Sequence, residues 1–345
     1  MRGTIERLRG DLDRSLFRPS EDRRRFGRGE GAVLLVAFLA LATVLQLFRV
    51  GPGEALDSLW AEDGPIFLAD AQDRGFLDAL VSPYAGYLVL VQRLVAEVGA
   101  AVPLPDAAAA VALTSCLVIA LSGLVVWFAA AGHIRSPFLR GLLVALTVLC
   151  PVAGLEAVVS GTYASWYMLF ACFWLLLWRP ATTWGAALGG LFILVTGLSN
   201  PGIFFFAPLA LLRGLAARDR RDALIAGAFA LVVAIQLPVT ALSEESTIDP
   251  FWSEKIGTAY LQRVVDGSVL GEQLAGSAWE QWGWPFLIAL SLGVALFLIV
   301  TAVRSHAHRL LAAIAVGTSV VMFAVSAYQR AVGEVLAWPA DTSLG

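Results

Sequence analysis

The chain has 345 residues, 58 % hydrophobic and 15 % charged, with a mean hydropathy of +0.75 and a net charge of −3. A soluble domain averages about 45–50 % apolar and about 25 % charged. This composition, with its long apolar runs, indicates a polytopic membrane protein and excludes a disulfide-rich secreted domain, a coiled coil and a nucleic-acid binder.

Residues 1–30 form an arginine-rich tail that ends Arg23-Arg24-Arg25-Phe26-Gly27-Arg28. Positive charge beside a first span places the N-terminus in the cytoplasm. Nine spans are predicted, at about 31–48, 107–130, 138–154, 163–178, 183–199, 201–213, 222–241, 284–303 and 309–328. Cys116, Cys150 and Cys172 lie inside apolar runs and read as small buried side chains. Residues 86–102 are apolar but carry Arg93 and Glu97 near their middle. Charges at bilayer depth are costly unless paired. If this stretch stays at the surface, Arg135, Arg140, Arg179, Arg213, Arg218, Arg220, Arg221, Arg304 and Arg309 all fall inside, and only Lys255, Arg263 and Arg330 among the later basic residues fall outside. It is therefore predicted to be an amphipathic helix on the outer face.

Two outer segments are long, 49–106 and 242–283, and long connections carry function. The first contains Trp60-Ala61-Glu62-Asp63-Gly64-Pro65-Ile66-Phe67, two acids between interfacial aromatics and ahead of a helix-breaking Gly-Pro. Ser82-Pro83-Tyr84-Ala85-Gly86-Tyr87 follows. Further outer turns carry Glu156, then Tyr163, Trp166 and Tyr167, then Ser199-Asn200. Clustered carboxylates suit Mg²⁺ or Mn²⁺, and Asp63 with Glu156 would form such a site if their loops meet. His133, His306 and His308 show no metal-ligand spacing and read as cytoplasmic loop residues. The second segment holds Lys255, Arg263, Asp266 and the tryptophans Trp279, Trp282 and Trp284, which read first as an interface belt.

An N-in first span, an acidic outer loop, an interface helix and a span returning to an arginine together resemble the GT-C superfamily of membrane glycosyltransferases. They are similar to protein mannosyltransferases and to the aminoarabinose transferase of lipid A modification. The strings Trp60-Ala-Glu-Asp-Gly64 and Tyr84-Ala-Gly-Tyr-Leu88, with Leu155-Glu156 and Trp166-Tyr167, also look like a set of uncharacterised actinobacterial proteins of this type. The resemblance covers roughly residues 30–240, and the family's Lys-Pro-Pro-type stretch has no counterpart here. It implies an all-α GT-C-like bundle with juxtamembrane helices, in which residues 31–241 form the catalytic module and 284–345 the terminal spans of a shortened chain.

The implied activity is inverting transfer of a hexose or pentose from a polyprenyl-phosphate donor to a lipid or glycan hydroxyl. Asp63 matches the family's acidic position and is expected to act as general base, with Glu62 beside it. Arg93, Lys255 and Arg263 are the outer cations available to the departing phosphate. Tyr84, Tyr87, Glu156, Tyr163, Trp166 and Asn200 are expected to line the substrate site. Inversion needs one carboxylate, because a lipid phosphate leaves without protonation, whereas retaining enzymes need a close pair. A flippase for lipid-linked saccharides is the alternative, and it calls for matched repeats and broken helices that the sequence does not display. A scaffold without activity is a third reading.

Overall fold

The computed structural model describes residues 10, 12, 15–19, 28–150, 156–217, 219–243, 255–304 and 306–330. Among these the chain is helical throughout, with only two isolated β-bridges, Pro19 to Arg179 and Tyr84 to Tyr87. It divides into two compact units, residues 1–13 with 17–246 and residues 14–16 with 247–345.

The first unit contains α1 (Arg28–Val50), α2 (Leu90–Ala100), α3 (Leu104–Ala129), α4 (Pro137–Leu149), α5 (Gly161–Leu177), α6 (Thr183–Gly197), α7 (Ala207–Ala216) and α8 (Arg220–Leu242). Helix α5 is apolar all round and buried along nearly its whole length, from Ala164 to Leu177, as expected of a central helix rather than a surface one. It packs against α3 on one side and α6 on the other. Helix α1 instead exposes Val33, Val36, Leu41 and Phe48. On a helix of this length, large exposed apolar side chains mark a lipid-facing surface.

Helices α6 and α8 approach closely along a row of glycines. A Cβ on Gly197 would lie 2.3 Å from Cγ1 of Val232, and one on Gly189 would lie 3.0 Å from Cδ1 of Ile225. Small residues at such crossings let membrane helices gain van der Waals contact, which stands in for the hydrophobic effect there.

The nine-span expectation is corrected. Four described helices are long and apolar enough to cross a membrane: Gly29–Val50, Leu104–Gly132, Arg220–Leu242 and Arg309–Ser326. A fifth arises only if the bent pair Gly276–Gly283 and Ile288–Thr301 is one span. The other expected spans are short helices, among them α4, α5 and α6 with 13, 17 and 15 residues. Apolarity continues past their ends but the helix does not. Cys150 takes a left-handed conformation with φ 35°, Trp178 is extended with ψ 142°, and a 3₁₀ stretch, Pro201–Phe206, fills the start of the span expected at 201–213. The amphipathic segment forms α2, whose 11 residues are too few to cross.

In the second unit, residues 255–270 are helical rather than a plain loop, with a π-helical turn at Tyr260–Asp266. This stretch packs on α10 (His306–Arg330), which follows α9 (Glu272–Arg304): the Tyr260 ring meets Phe323 edge-on at 5.5 Å, and its hydroxyl donates to Ser319 at 3.2 Å. Asp266 ends the π turn almost fully buried, and its Oδ1 finds no hydrogen-bond partner. Burial pushes its carboxyl up to about 6. The folded protein therefore takes up this proton more readily than the unfolded chain. Stability from this group is greatest below about pH 4 and is lost as pH rises towards about pH 6. Asp266→Asn is expected to flatten that decline in thermal unfolding followed against pH.

Candidate functional site

The residues singled out between Glu62 and Asn200 gather at one end of the first unit, where α5 begins and α6 ends. Asp63 closes a 3₁₀ turn, Ala61–Asp63, and is followed by a π-helical turn, Gly64–Leu68. Its side chain is 3 % exposed. Oδ2 accepts the Gly161 N–H at 2.9 Å, while Oδ1 accepts the Thr162 N–H at 2.9 Å and the Thr162 hydroxyl at 2.8 Å. Both N–H groups lie in the first turn of α5, where Thr162 N–H is shared with Ser160 Oγ at 3.2 Å, and a carboxylate there complements the helix dipole. Burial raises the Asp63 carboxyl above its ordinary value, while hydrogen bonds from Ser160, Thr162 and Gly161 oppose the rise. Gly161 permits this approach, since a Cβ there would stand 3.3 Å from Oδ1 and 3.0 Å from Cγ1 of Val95. The expected general base is thus held as a helix cap.

Glu62 is half-buried beside it, and the Tyr84 hydroxyl lies 3.5 Å from Oε1. Ala61, just before, has φ 50°, a left-handed conformation that costs a residue with a Cβ about 1–2 kcal/mol. Such strain collects at functional sites. Tyr84 and Tyr87 face each other across a tight turn, with Tyr84 N–H donating to Tyr87 O at 2.9 Å and the reverse bond at 3.2 Å. Ala85 and Gly86, at φ 50° and 86°, supply the two positive values that a type I′ turn requires. The Tyr84 ring meets Phe67 edge-on at 5.4 Å, and the Arg93 guanidinium lies 5.1 Å from the centre of the Phe67 ring. Arg93 is 2 % exposed and donates to Asp70 at 2.5 Å. Asp70 also pairs with Arg74 at 3.2 Å. Arg93 is therefore engaged, and by Asp70 rather than by Glu97 four residues on. A carboxylate or phosphate arriving here would meet a cation already neutralised.

A second group ties α2 to the ends of α5 and α6. Gln92 donates to Ser165 Oγ at 3.3 Å and to Ser199 O at 3.2 Å, and Asn200 donates to Ser165 Oγ at 3.1 Å. Ser199 Oγ accepts the Val91 N–H at 2.9 Å. In an apolar surrounding these bonds fix α2 against the bundle, and each broken one would leave a buried polar group without a partner. Asn200, expected near substrate, is 5 % exposed and belongs to this structural group. Trp166 points outward, 47 % exposed, while Tyr163 is half-buried. Glu156 opens the short helix Glu156–Val159, and its side chain lies outside the described residues. Lys255 and Arg263 belong to the second unit. Sequence reasoning missed Asp70, Gln92, Ser160 and Thr162. Ser160-Gly161-Thr162 ahead of an apolar run was the available signal, because serine is a strong N-cap residue.

Comparison with protein-family models, with curated proteins and with solved structures returned no match. The site therefore rests on its own geometry. Among the described residues, no group of three or more His, Cys, Asp or Glu side chains could hold a metal ion. Asp63 accepts three hydrogen bonds from Gly161 and Thr162, and the Glu156 side chain of the expected Asp63–Glu156 pair lies outside the described residues.

Proposed function

We propose that this chain transfers a sugar from a polyprenyl-phosphate donor to an acceptor hydroxyl on the outer face of the plasma membrane, with inversion, and that Glu62 is the base. The observation that carries the reading is the division of labour within Glu62-Asp63. One carboxylate is consumed in fixing α5, and the other stays half-exposed beside a tyrosine hydroxyl on the same rigid turn. Neighbouring residues on a 3₁₀ turn point about 120° apart, so the two acids take separate roles. A carboxylate held within about 2.6–3.2 Å of an acceptor hydroxyl takes its proton as the new bond to the anomeric carbon forms. Inversion follows because one carboxylate suffices when the leaving group is a phosphate that departs as an anion. Tyr84 sits where it can orient Glu62 or the acceptor. The arginine-rich cytoplasmic tail supports the sidedness of the proposal.

The test is a transfer assay with the protein reconstituted in vesicles and a radiolabelled polyprenyl-phosphate sugar as donor. Label should appear in a lipid or glycan acceptor, and Glu62→Gln should lower the rate by about 10²–10⁴-fold with the protein still folded. Full activity in Glu62→Gln overturns the assignment of the base. Movement of the lipid-linked sugar between leaflets without any transfer would favour the flippase reading instead.

A further inference from the structure

Residues 86–102 are predicted to lie along the membrane surface, whereas the contacts of α2 set it alongside the bundle helices. Near its last residue, a Cβ on Gly99 would lie 2.8 Å from Cγ2 of Val111, two turns into α3. One turn earlier, Val95 Cγ1 lies 3.0 Å from where a Cβ on Gly161, the first residue of α5, would stand. Gln92 reaches Ser165 Oγ, a turn further along α5, and Leu90 N–H donates to Leu198 O at 3.0 Å, just past the end of α6. The start of α2 is thus set deeper among the bundle helices than its finish.

Ahead of α2 the chain leaves the Tyr84–Tyr87 turn through Leu88 and Val89, which belong to no helix. Their neighbour is α8. Leu88 N–H donates to Gln236 Oε1 at 3.3 Å, and Gln236 Nε2 donates to Leu88 O at 3.3 Å. One side-chain amide plays the part of an adjacent strand. Gln236 is fully buried, in a helix long and apolar enough to cross a membrane. It stands six residues before Leu242, the last of α8, which is about 9 Å at a rise of about 1.5 Å per residue. The 23 residues of α8 make about 34 Å against a hydrocarbon core of about 30 Å, so Gln236 falls inside the core.

We propose that Gln236 is a positioning residue of the candidate site, holding the Tyr84–Tyr87 turn below the end of α8 and so fixing the Tyr84 hydroxyl against Glu62. At that depth a peptide group outside a helix has to be met by protein, and a glutamine in a span is costly unless bonded. Leu88 and Gln236 each answer the other's need. A glutamine that served only to join α8 to α6 would bond that helix, whose glycines already carry the contact. Both groups of this amide are spent instead on the residue that follows Tyr87. The turn is closed by its own two bonds, so what holds Leu88 holds Tyr84. The Tyr84 hydroxyl is 3.5 Å from Glu62 Oε1, and a further shift of about 1 Å would remove that contact. The effect on rate rests on Glu62 as the base, and the effect on depth does not.

The experiment uses the full chain in nanodiscs, with Cys116, Cys150 and Cys172 replaced by alanine and a bimane on Leu88→Cys or on Val98→Cys. The lipids carry a nitroxide either on the headgroup or on carbon 12 of an acyl chain. The bimane at Leu88→Cys should be quenched more by the chain nitroxide, and that at Val98→Cys more by the headgroup nitroxide. Adding Gln236→Met should move the Leu88→Cys profile towards the headgroup and leave the Val98→Cys profile in place. Gln236→Glu, whose protonated form keeps one donor and one acceptor, should retain the parent profile. In sugar transfer, Gln236→Met should lower kcat by about 10–10²-fold with KM for the donor unchanged, and Gln236→Glu should restore most of the loss. Equal profiles at the two positions in the parent overturn the proposal, as does a Leu88→Cys profile that Gln236→Met leaves in place. A shifted profile with unchanged kcat overturns it as well. If Gln236→Met does not insert, Gln236→Asn, one carbon too short for both bonds, is read for the same shift. If the parent itself transfers no sugar, the proposed reaction fails and the quenching alone decides whether Gln236 holds the turn.

Discussion

Arg213→Ala is expected to destabilise the first unit by about 3–5 kcal/mol, the cost of breaking a buried ion pair. That corresponds to a fall of about 10 °C in thermal unfolding, at about 2–4 °C per kcal/mol for a domain of this size. Arg213 is 1 % exposed in the last turn of α7. Its Nη2 meets Asp222 Oδ1 at 2.8 Å, and its Nη1 donates to the carbonyls of Leu176, at 3.0 Å, and Trp178. Phe17 lies against the guanidinium, 5.4 Å from ring centre to Cζ. One side chain thus satisfies orphan carbonyls at the C-terminal end of α5 and pairs with an acid in the first turn of α8, where Asp219 already caps the Arg221 and Asp222 N–H groups. Cation at a C-terminus and anion at an N-terminus are the favourable arrangement for both dipoles. Lysine cannot reproduce the fork, so Arg213→Lys should recover less than half of the loss. After removal of Arg213, Asp222 still pairs with Arg179, at 3.2 Å and partly exposed. The double variant Arg213→Ala/Asp222→Ala should accordingly be less damaging than the sum of the singles. Additive losses would show that the pair is not coupled.

That network marks a boundary in what the sequence discloses. Long apolar runs announced α1, α3 and α8, because length and hydropathy are local properties. The breaks at Cys150 and Trp178 were not legible, since nothing in the surrounding apolar sequence signals a left-handed or extended residue. The amphipathic α2 was legible from Arg93 and Glu97 within an otherwise apolar stretch. Its ion pair was not, because the local i,i+4 rule points to Glu97, whereas packing of the π-helical turn under α2 brings in Asp70 from 23 residues earlier. The acidic string Glu62-Asp63 was legible as something unusual. Which acid is free depends on the start of a helix some hundred residues further on, a tertiary fact that no spacing encodes.

The same string yields the sharpest contrast in the molecule. Asp63→Ala should lower stability by about 2–4 kcal/mol, combining loss of a helix cap, about 0.5–2 kcal/mol, with the cost of leaving buried donors unmet, about 1–3 kcal/mol. Asp63→Asn should recover only part of this, because its amide keeps one acceptor oxygen and turns its NH₂ towards either the Gly161 or the Thr162 N–H, each 2.9 Å from a different carboxylate oxygen. Glu62→Gln touches no such donors and should stay within about 0.5 kcal/mol of the parent. Activity should separate the two differently. Glu62→Gln loses turnover in a fully folded protein, while Asp63→Asn loses activity only as far as it loses structure, and cooling or a stabilising lipid should restore it. If Asp63→Asn instead unfolds at the parent temperature and transfers nothing, the base is Asp63 and the cap is incidental. Thermal unfolding and transfer rate measured on the same preparations decide between them.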